Sequence, residues 1–179
     1  AALDDLLAKV IEARERVRQN AGDTPVLLKI APDLSLAELD DVVHIARSRR
    51  IDGMIVGNTT LARPSTLREQ ARASEQGGLS GRPLFRLSTR MVAETYVRAE
   101  RAFPLVGVGG IDTGGAALTK IRAGASLIQL YSSLIYKGLH LVEDIKNDLA
   151  STLLRTGRDS LSEIVGADAA AITAEDWPV

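Results

Sequence analysis

Leu3, Leu6, Leu7, Val10 and Val17 recur at roughly helical spacing among charged residues, and the pattern stops at Gly22 and Pro25. This predicts an amphipathic helix at the start of the chain. Residues 25–31 are a short apolar run closed by Pro32, which reads as a buried strand. Ser35 and Glu38 have the spacing of a capping box, and Leu36, Leu39, Val43 and Ala46 then share one helical face. Residues 53–57 form a second buried strand. A long polar stretch, 58–82, follows; connections of that length inside a compact domain are usually functional. The spacing predicts a helix over 84–101, a strand over 105–108, a short helix over 116–123 and a strand over 126–130. Leu139, Val142, Ile145, Leu149 and Leu153 mark a last long amphipathic helix, with a helical turn near 161–165.

The order is one helix and then four βα units, with strands apolar on both faces, as in a parallel sheet sheathed by helices. Two architectures fit: a small doubly wound sheet, or half of a (β/α)₈ TIM barrel, which needs eight strands and typically about 250 residues. The chain has 179 residues, 45% of them apolar, and a formal charge of -1. It has the core of a folded domain and lacks the basic surplus of a nucleic-acid binder. With no cysteine, thiolate chemistry and Cys-ligated zinc are excluded. The two histidines, His44 and His140, make no metal-ligand spacing, so no metal is expected. No apolar run is long enough to span a membrane. The chain opens on Ala1 rather than Met and enters directly into a helix, so it is expected to be a piece of a longer one.

The candidate chemistry lies where strands end. Gly107-Val108-Gly109-Gly110 opens a strand-to-helix turn but is not a dinucleotide fingerprint, because Asp112 stands where the last glycine belongs. Such a turn lets backbone N–H groups meet an anion, or it simply tightens a βα connection. The next strand ends at Tyr131-Ser132-Ser133, and barrels commonly hold phosphate between their last two loops. Lys29 interrupts an apolar strand, and burial would pair its ammonium with an anion or a delocalised negative charge; an ion-paired strand-end lysine is the plainer alternative. Gly57-Asn58-Thr59-Thr60 puts an amide and two hydroxyls at a strand tip, suited to a polar ring or to an Asx turn. Gly77-Gly78-Leu79-Ser80-Gly81 is a second glycine-rich turn. The Arg-rich tract 63–90 reads as solvated loop, and Trp177 as a packing residue.

Taken together, Lys29-Ile30-Ala31-Pro32-Asp33-Leu34, Asn58-Thr59-Thr60, Gly77-Gly78-Leu79-Ser80-Gly81, Gly107-Val108-Gly109-Gly110 and Ile121-Arg122-Ala123-Gly124-Ala125-Ser126 resemble class 2 dihydroorotate dehydrogenase, the quinone-linked flavoprotein family of pyrimidine biosynthesis. The resemblance runs in order from the first residues to at least Leu149. It implies a (β/α)₈ barrel with FMN over its C-terminal mouth, of which this chain supplies about the last four βα units. Residues 1–165 are then the C-terminal half of the barrel and 166–179 a tail. By the same resemblance Lys29, Gly57, Gly81, Gly110, Tyr131 and Ser132 contact FMN, and Asn58 and Thr59 bind dihydroorotate or orotate. Gly57 departs from the family, which usually carries Thr there. The resemblance places the catalytic base, a serine, and the membrane- and quinone-associated segment before this region. It also implies a bacterial enzyme peripheral to the cytoplasmic face of the inner membrane. Two other readings stay open: a non-catalytic half-barrel that binds phosphate or flavin or self-associates, and a class 1 dihydroorotate dehydrogenase or another FMN barrel.

Overall fold

Four strands alternate with helices in the computed structural model, which describes residues 2–65 and 67–178. The order is α1 (Ala2–Ala21), β1 (Leu27–Ile30), α2 (Leu36–Ser48), β2 (Gly53–Val56), α3 (Gln70–Ala73), α4 (Phe85–Ala99), β3 (Leu105–Val108), α5 (Gly114–Ala123), β4 (Leu127–Gln129), α6 (Ser132–Lys137), α7 (His140–Thr156) and α8 (Ala169–Ala174). Single 3₁₀ turns occupy Arg82–Leu84 and Leu161–Ile164. The capping box at α2 forms as the spacing predicts: the Ser35 hydroxyl accepts from the Glu38 N–H, and the Glu38 carboxylate accepts from the Ser35 N–H. The Ser35 hydroxyl also donates to the Glu38 carboxylate at 2.7 Å, and this bond first, with the Ser35 N–H second, holds the Glu38 carboxyl below its usual range.

The sheet is wholly parallel and its strands lie in chain order, β1-β2-β3-β4. That order decides between the two architectures. Parallel crossovers are right-handed, so when each strand is added on the same side of the last, every connecting helix falls on the same face. A doubly wound sheet needs a reversal of strand order to clothe both faces, and none occurs. The helices accordingly pack in sequence, α2 on α4, α4 on α5 and α5 on α7. Beneath them Ile30, Met54, Val56 and Leu105 of the sheet join Leu39, Val43, Met91 and Val92 in one core.

The opposite face is open, in contrast to the expectation of strands buried on both sides. It carries Leu27, Lys29, Ile55, Val106, Val108, Leu127 and Gln129, in register across the sheet. Leu27 is 39% and Leu127 61% exposed, while Leu39, Met54 and Val56 are fully buried. This is one wall of a barrel seen from its axis.

The two ends of the chain are attached differently. Among the described residues of α1, Leu7 is buried in the core and Leu3 packs against it, while Leu6, Val10 and Val17 are exposed. Asp4 receives two hydrogen bonds from Arg49, at 2.6 and 2.7 Å, but such surface pairs contribute about 0–1 kcal/mol, less than burial of one leucine at about 2 kcal/mol. At the other end α8 lies against α4. Ala169 is buried, Arg122 donates twice to Asp168 at 2.6 Å, and buried Arg90 donates to the Thr173 and Glu175 carbonyls while lying over the Trp177 ring. Among the described residues no helix is long and apolar enough to cross a membrane.

Candidate functional site

All four parallel strands deliver their C-terminal ends to the same rim, and the loops there enclose a cleft of about 690 Å³. Its lining includes all eight residues that the resemblance assigns to cofactor or substrate: Lys29, Gly57, Asn58, Thr59, Gly81, Gly110, Tyr131 and Ser132. These residues span more than a hundred positions of chain, and the sheet brings them to one wall. A second hollow, about 760 Å³, lies beside it between the start of α2, residues 60–64 and Trp177. It contains none of the eight, and its Asp33 and Arg63 are already engaged in holding loops (below).

Lys29 is exposed rather than buried. It alternates with Leu28 and Ile30, which face the helices, so its side chain projects from the open face of β1 into the cleft. It makes no ion pair among the described residues, which leaves its ammonium available to a ligand. The Asn58 side-chain oxygen accepts from the Thr59 N–H at 3.0 Å, which leaves the carboxamide NH₂ as the donor presented to the cleft. Thr59 stands where Gly78 permits it: a Cβ on Gly78 would come within 1.9 Å of the Thr59 Oγ1.

Two residues that sequence reasoning passed over hold this rim. Asp33, at the end of the β1 loop, accepts from the Thr60 hydroxyl and, at 3.2 Å, from the Leu61 N–H, tying the first loop to the second. Arg63 gathers the polar stretch. Its guanidinium donates to the carbonyls of Thr60, Leu61 and Ala62 on one side and of Ala73, Glu75 and Gly77 on the other, at 2.7–3.3 Å. Thr60 and Leu79 pair antiparallel across the base of that loop. An arginine with five fixed donors suits such a cluster of carbonyls.

The glycine turn after β3 adopts backbone that only glycine takes readily, with φ of 101° at Gly109 and 73° at Gly110. It also runs against α4: a Cβ on Gly110 would lie 2.7 Å from the Phe85 Cα. The Ser88 hydroxyl donates to the Gly109 carbonyl at 3.0 Å. Because the peptide is trans and planar, the Gly110 N–H points the opposite way, towards the cleft. Across the gap the Ser132 hydroxyl donates to the Ser80 hydroxyl at 3.0 Å, joining the start of α6 to the second glycine turn. Arg82 and Lys137 both approach the Asp112 carboxylate, so one carboxylate faces two cations and this end of the cleft keeps a net positive charge.

Gly57 has none of these constraints. Its backbone lies outside the left-handed region, and a Cβ would meet Pro32 and the Ile30 carbonyl at 3.5–3.6 Å, ordinary contact. A methyl group therefore fits at this position. Gly57→Ala is expected to stabilise the protein by about 0.5 kcal/mol through loss of unfolded-state freedom; a lowered urea midpoint would contradict this.

A family model described as dihydroorotate dehydrogenase matches residues 1–153. A dihydroorotate dehydrogenase (quinone) of Rhodopseudomonas palustris (strain BisA53) is 88% identical over 179 residues, covering all of this chain and 49% of that protein. Its counterpart in Bradyrhizobium diazoefficiens is 86% identical over 178 residues, 99% of this chain and again 49% of the relative. Among solved structures, the ligand-free DHODH from Eimeria tenella superposes with a TM-score of 0.84 at 34% identity, covering 93% of this chain and 49% of that one. The Eimeria tenella DHODH in complex with ferulenol gives 0.78 at 38% identity, with 84% and 39% covered. The chain thus spans about half the length of the curated relatives it matches. A sheet in barrel order, a cleft on the rim where barrels bind their ligands, and a family model running through all four βα units agree: the chain belongs to the dihydroorotate dehydrogenase family.

Proposed function

We propose that this chain forms the cofactor- and substrate-binding half of a quinone-dependent dihydroorotate dehydrogenase, which oxidises dihydroorotate to orotate with FMN as cofactor. What supports the reading above all is that the eight residues matching the family's FMN and substrate positions line one cleft. The name shared by relatives at 86% and 88% identity adds to it. Residues 1–165 supply the barrel half and 166–179 its tail. The base and the contact with membrane and quinone lie outside this chain.

The residues present fit FMN. A phosphate would find the outward Gly110 N–H, in a turn whose approach to α4 admits no Cβ, together with the Ser132–Ser80 hydroxyl pair, in which the unspent proton is that of Ser80. The cleft volume is in the range of small-molecule sites, about 300–1,000 Å³. FMN, when bound, supplies the two-electron redox chemistry. The protein's residues bind and orient. Lys29, on the open face of β1, would offer a cation to the electron-rich ring of the bound cofactor. Gly57 and Gly81 allow the ring close to backbone. Asn58 donates from its NH₂ group to a carbonyl or carboxylate of the pyrimidine acid, with Thr59 beside it. Asp33 holds the second loop in place, so that Asn58 and Thr59 are set before the substrate arrives.

Lys29→Ala in the natural full-length protein is the test. Loss of a fixed cation beside developing charge is expected to slow flavin bleaching by dihydroorotate about a hundredfold in stopped flow. Stability should change by less than about 0.5 kcal/mol, because the side chain is exposed. An unaltered bleaching rate would refute the assignment.

A further inference from the structure

Lys120 is the largest fully buried side chain among the described residues, with no exposed surface. It sits on α5 with Ala117 and Ile121, on the face turned to the core. Its stem runs beneath Gly107, where a Cβ would touch the Lys120 Cβ and Cδ at 3.5 and 3.6 Å. Its Nζ donates to the Ser88 hydroxyl at 2.6 Å and lies 3.4 Å from the Phe85 carbonyl and 5.0 Å from the centre of the Phe85 ring. Among the described residues no carboxylate is paired with it. Burial pushes its amine well below the usual lysine range, and an anion bound in front of the turn would oppose that shift and favour the charged form.

An ammonium facing only neutral dipoles costs stability, and the space along Gly107 would accept an apolar side chain of similar length. The geometry says what the cation does instead. Its partner, the Ser88 hydroxyl, has two carbonyls within reach of its one proton, Gly109 at 3.0 Å and Phe85 at 3.1 Å; the Phe85 carbonyl already accepts from the Thr89 hydroxyl at 2.6 Å and from Lys120, so the Ser88 proton goes to Gly109. A chain of three groups therefore runs from the Lys120 ammonium through Ser88 to the Gly109–Gly110 peptide. Each hydrogen bond polarises the next, and the far end of that peptide is the Gly110 N–H on the cleft wall. A positive charge behind the turn also attracts an anion in front of it, in a region of low dielectric.

We propose that Lys120 is a positioning residue for the cofactor phosphate: through Ser88 it fixes and polarises the Gly109–Gly110 peptide, and it serves as a buried counter-charge behind the turn. The proposal rests on the reading of the cleft as an FMN site and names a residue that does not itself touch the cofactor.

FMN and riboflavin share the ring and differ in the phosphate, so the ratio of their affinities reports on the phosphate site alone. The measurement is flavin fluorescence titration of the natural full-length protein stripped of cofactor, with Lys120→Met and Ser88→Ala. Lys120→Met is expected to keep or raise the melting temperature, because a desolvated amine is removed, and yet to weaken FMN binding about tenfold, the effect of losing one charge-assisted hydrogen bond. Riboflavin binding should stay within about twofold. Ser88→Ala, which leaves the charge in place, should lower the FMN preference in the same direction but by less. A merely structural lysine would move both ligands together and lower the melting temperature. An FMN preference unchanged in Lys120→Met overturns the proposal; should that variant not fold, an unchanged preference in Ser88→Ala overturns it. If the unaltered protein does not prefer FMN to riboflavin, the reading of the cleft fails first and takes this one with it.

Discussion

Gly124→Ala is expected to cost about 4 kcal/mol and to lower the melting temperature by about 10 °C. Gly124 ends α5 with φ 129° and ψ 0°, and its N–H returns to the Ile121 carbonyl. A methyl group there would be strained by the backbone and would also lie 2.4 Å from the Tyr96 Cβ and 2.5 Å from its Cγ. Tyr96 cannot give way on the far side, since its ring is closed in by Gly166 and its hydroxyl donates to the Val165 carbonyl at 3.2 Å. The slot joins α4, α5 and the approach to α8, so the damage spreads through the helical layer. Domains of this kind have only about 5–15 kcal/mol in total. Urea unfolding should show a lower midpoint at unchanged slope, and a loss below about 1 kcal/mol would mean that the backbone relaxes.

Arg63→Ala is expected to act on the site rather than on the core. The guanidinium is the common partner of six carbonyls from both arms of the loop. Without it each carbonyl turns to water and the arms separate, while the sheet and the α2–α4 core are untouched. Cleavage of the 61–80 segment by a dilute protease should accelerate by about tenfold, in proportion to the population of the opened loop. Thr59 is seated against Gly78 in the same loop, so on the proposed reading of the cleft the natural full-length protein should also lose about tenfold in orotate affinity, which corresponds to about 1.4 kcal/mol. The melting temperature should move by no more than about 2 °C, since the loop packs little apolar surface. Unchanged proteolysis would show that the Thr60–Leu79 pairing holds the loop by itself.

The main elements were legible in the sequence because their signals are local. The capping box at Ser35 and Glu38, the buried face of α2 at Leu39, Val43 and Ala46, and the punctuation by Pro32 and Gly57 each reside within a few residues; the face expected on α7 holds at Ile145 but not at Leu139 and Val142, which are exposed, while Leu141 is buried. The six-residue helices α6 and α8 were not, because less than two turns carries too little periodicity to register. The exposure of Lys29 could not be read either: every neighbour in its strand is apolar, and which face stays open depends on strand order. Arg63 looked like solvated loop because its partners are backbone carbonyls 10–14 positions away, which leave no residue-type signature. Lys120 was legible in principle, since it occupies the buried spacing of α5 with Ala117 and Ile121, and a lysine at such a position asks for a reason. The eight cleft residues were placed by family motifs, and the geometry supplied the common rim.

The open face of the sheet also governs how the chain behaves as a colloid. Leu27 and Leu127 on that face, with Ile135, Tyr136 and Leu139 beside the cleft, form apolar surface next to two unpaired strand edges. A net charge of -1 and an isoelectric point near 6.2 leave almost no mutual repulsion between copies at neutral pH. Attraction between these walls is then opposed by little, so the solubility of the chain by itself is lowest close to the pH at which cells work and improves as carboxylates or lysines are titrated away from balance.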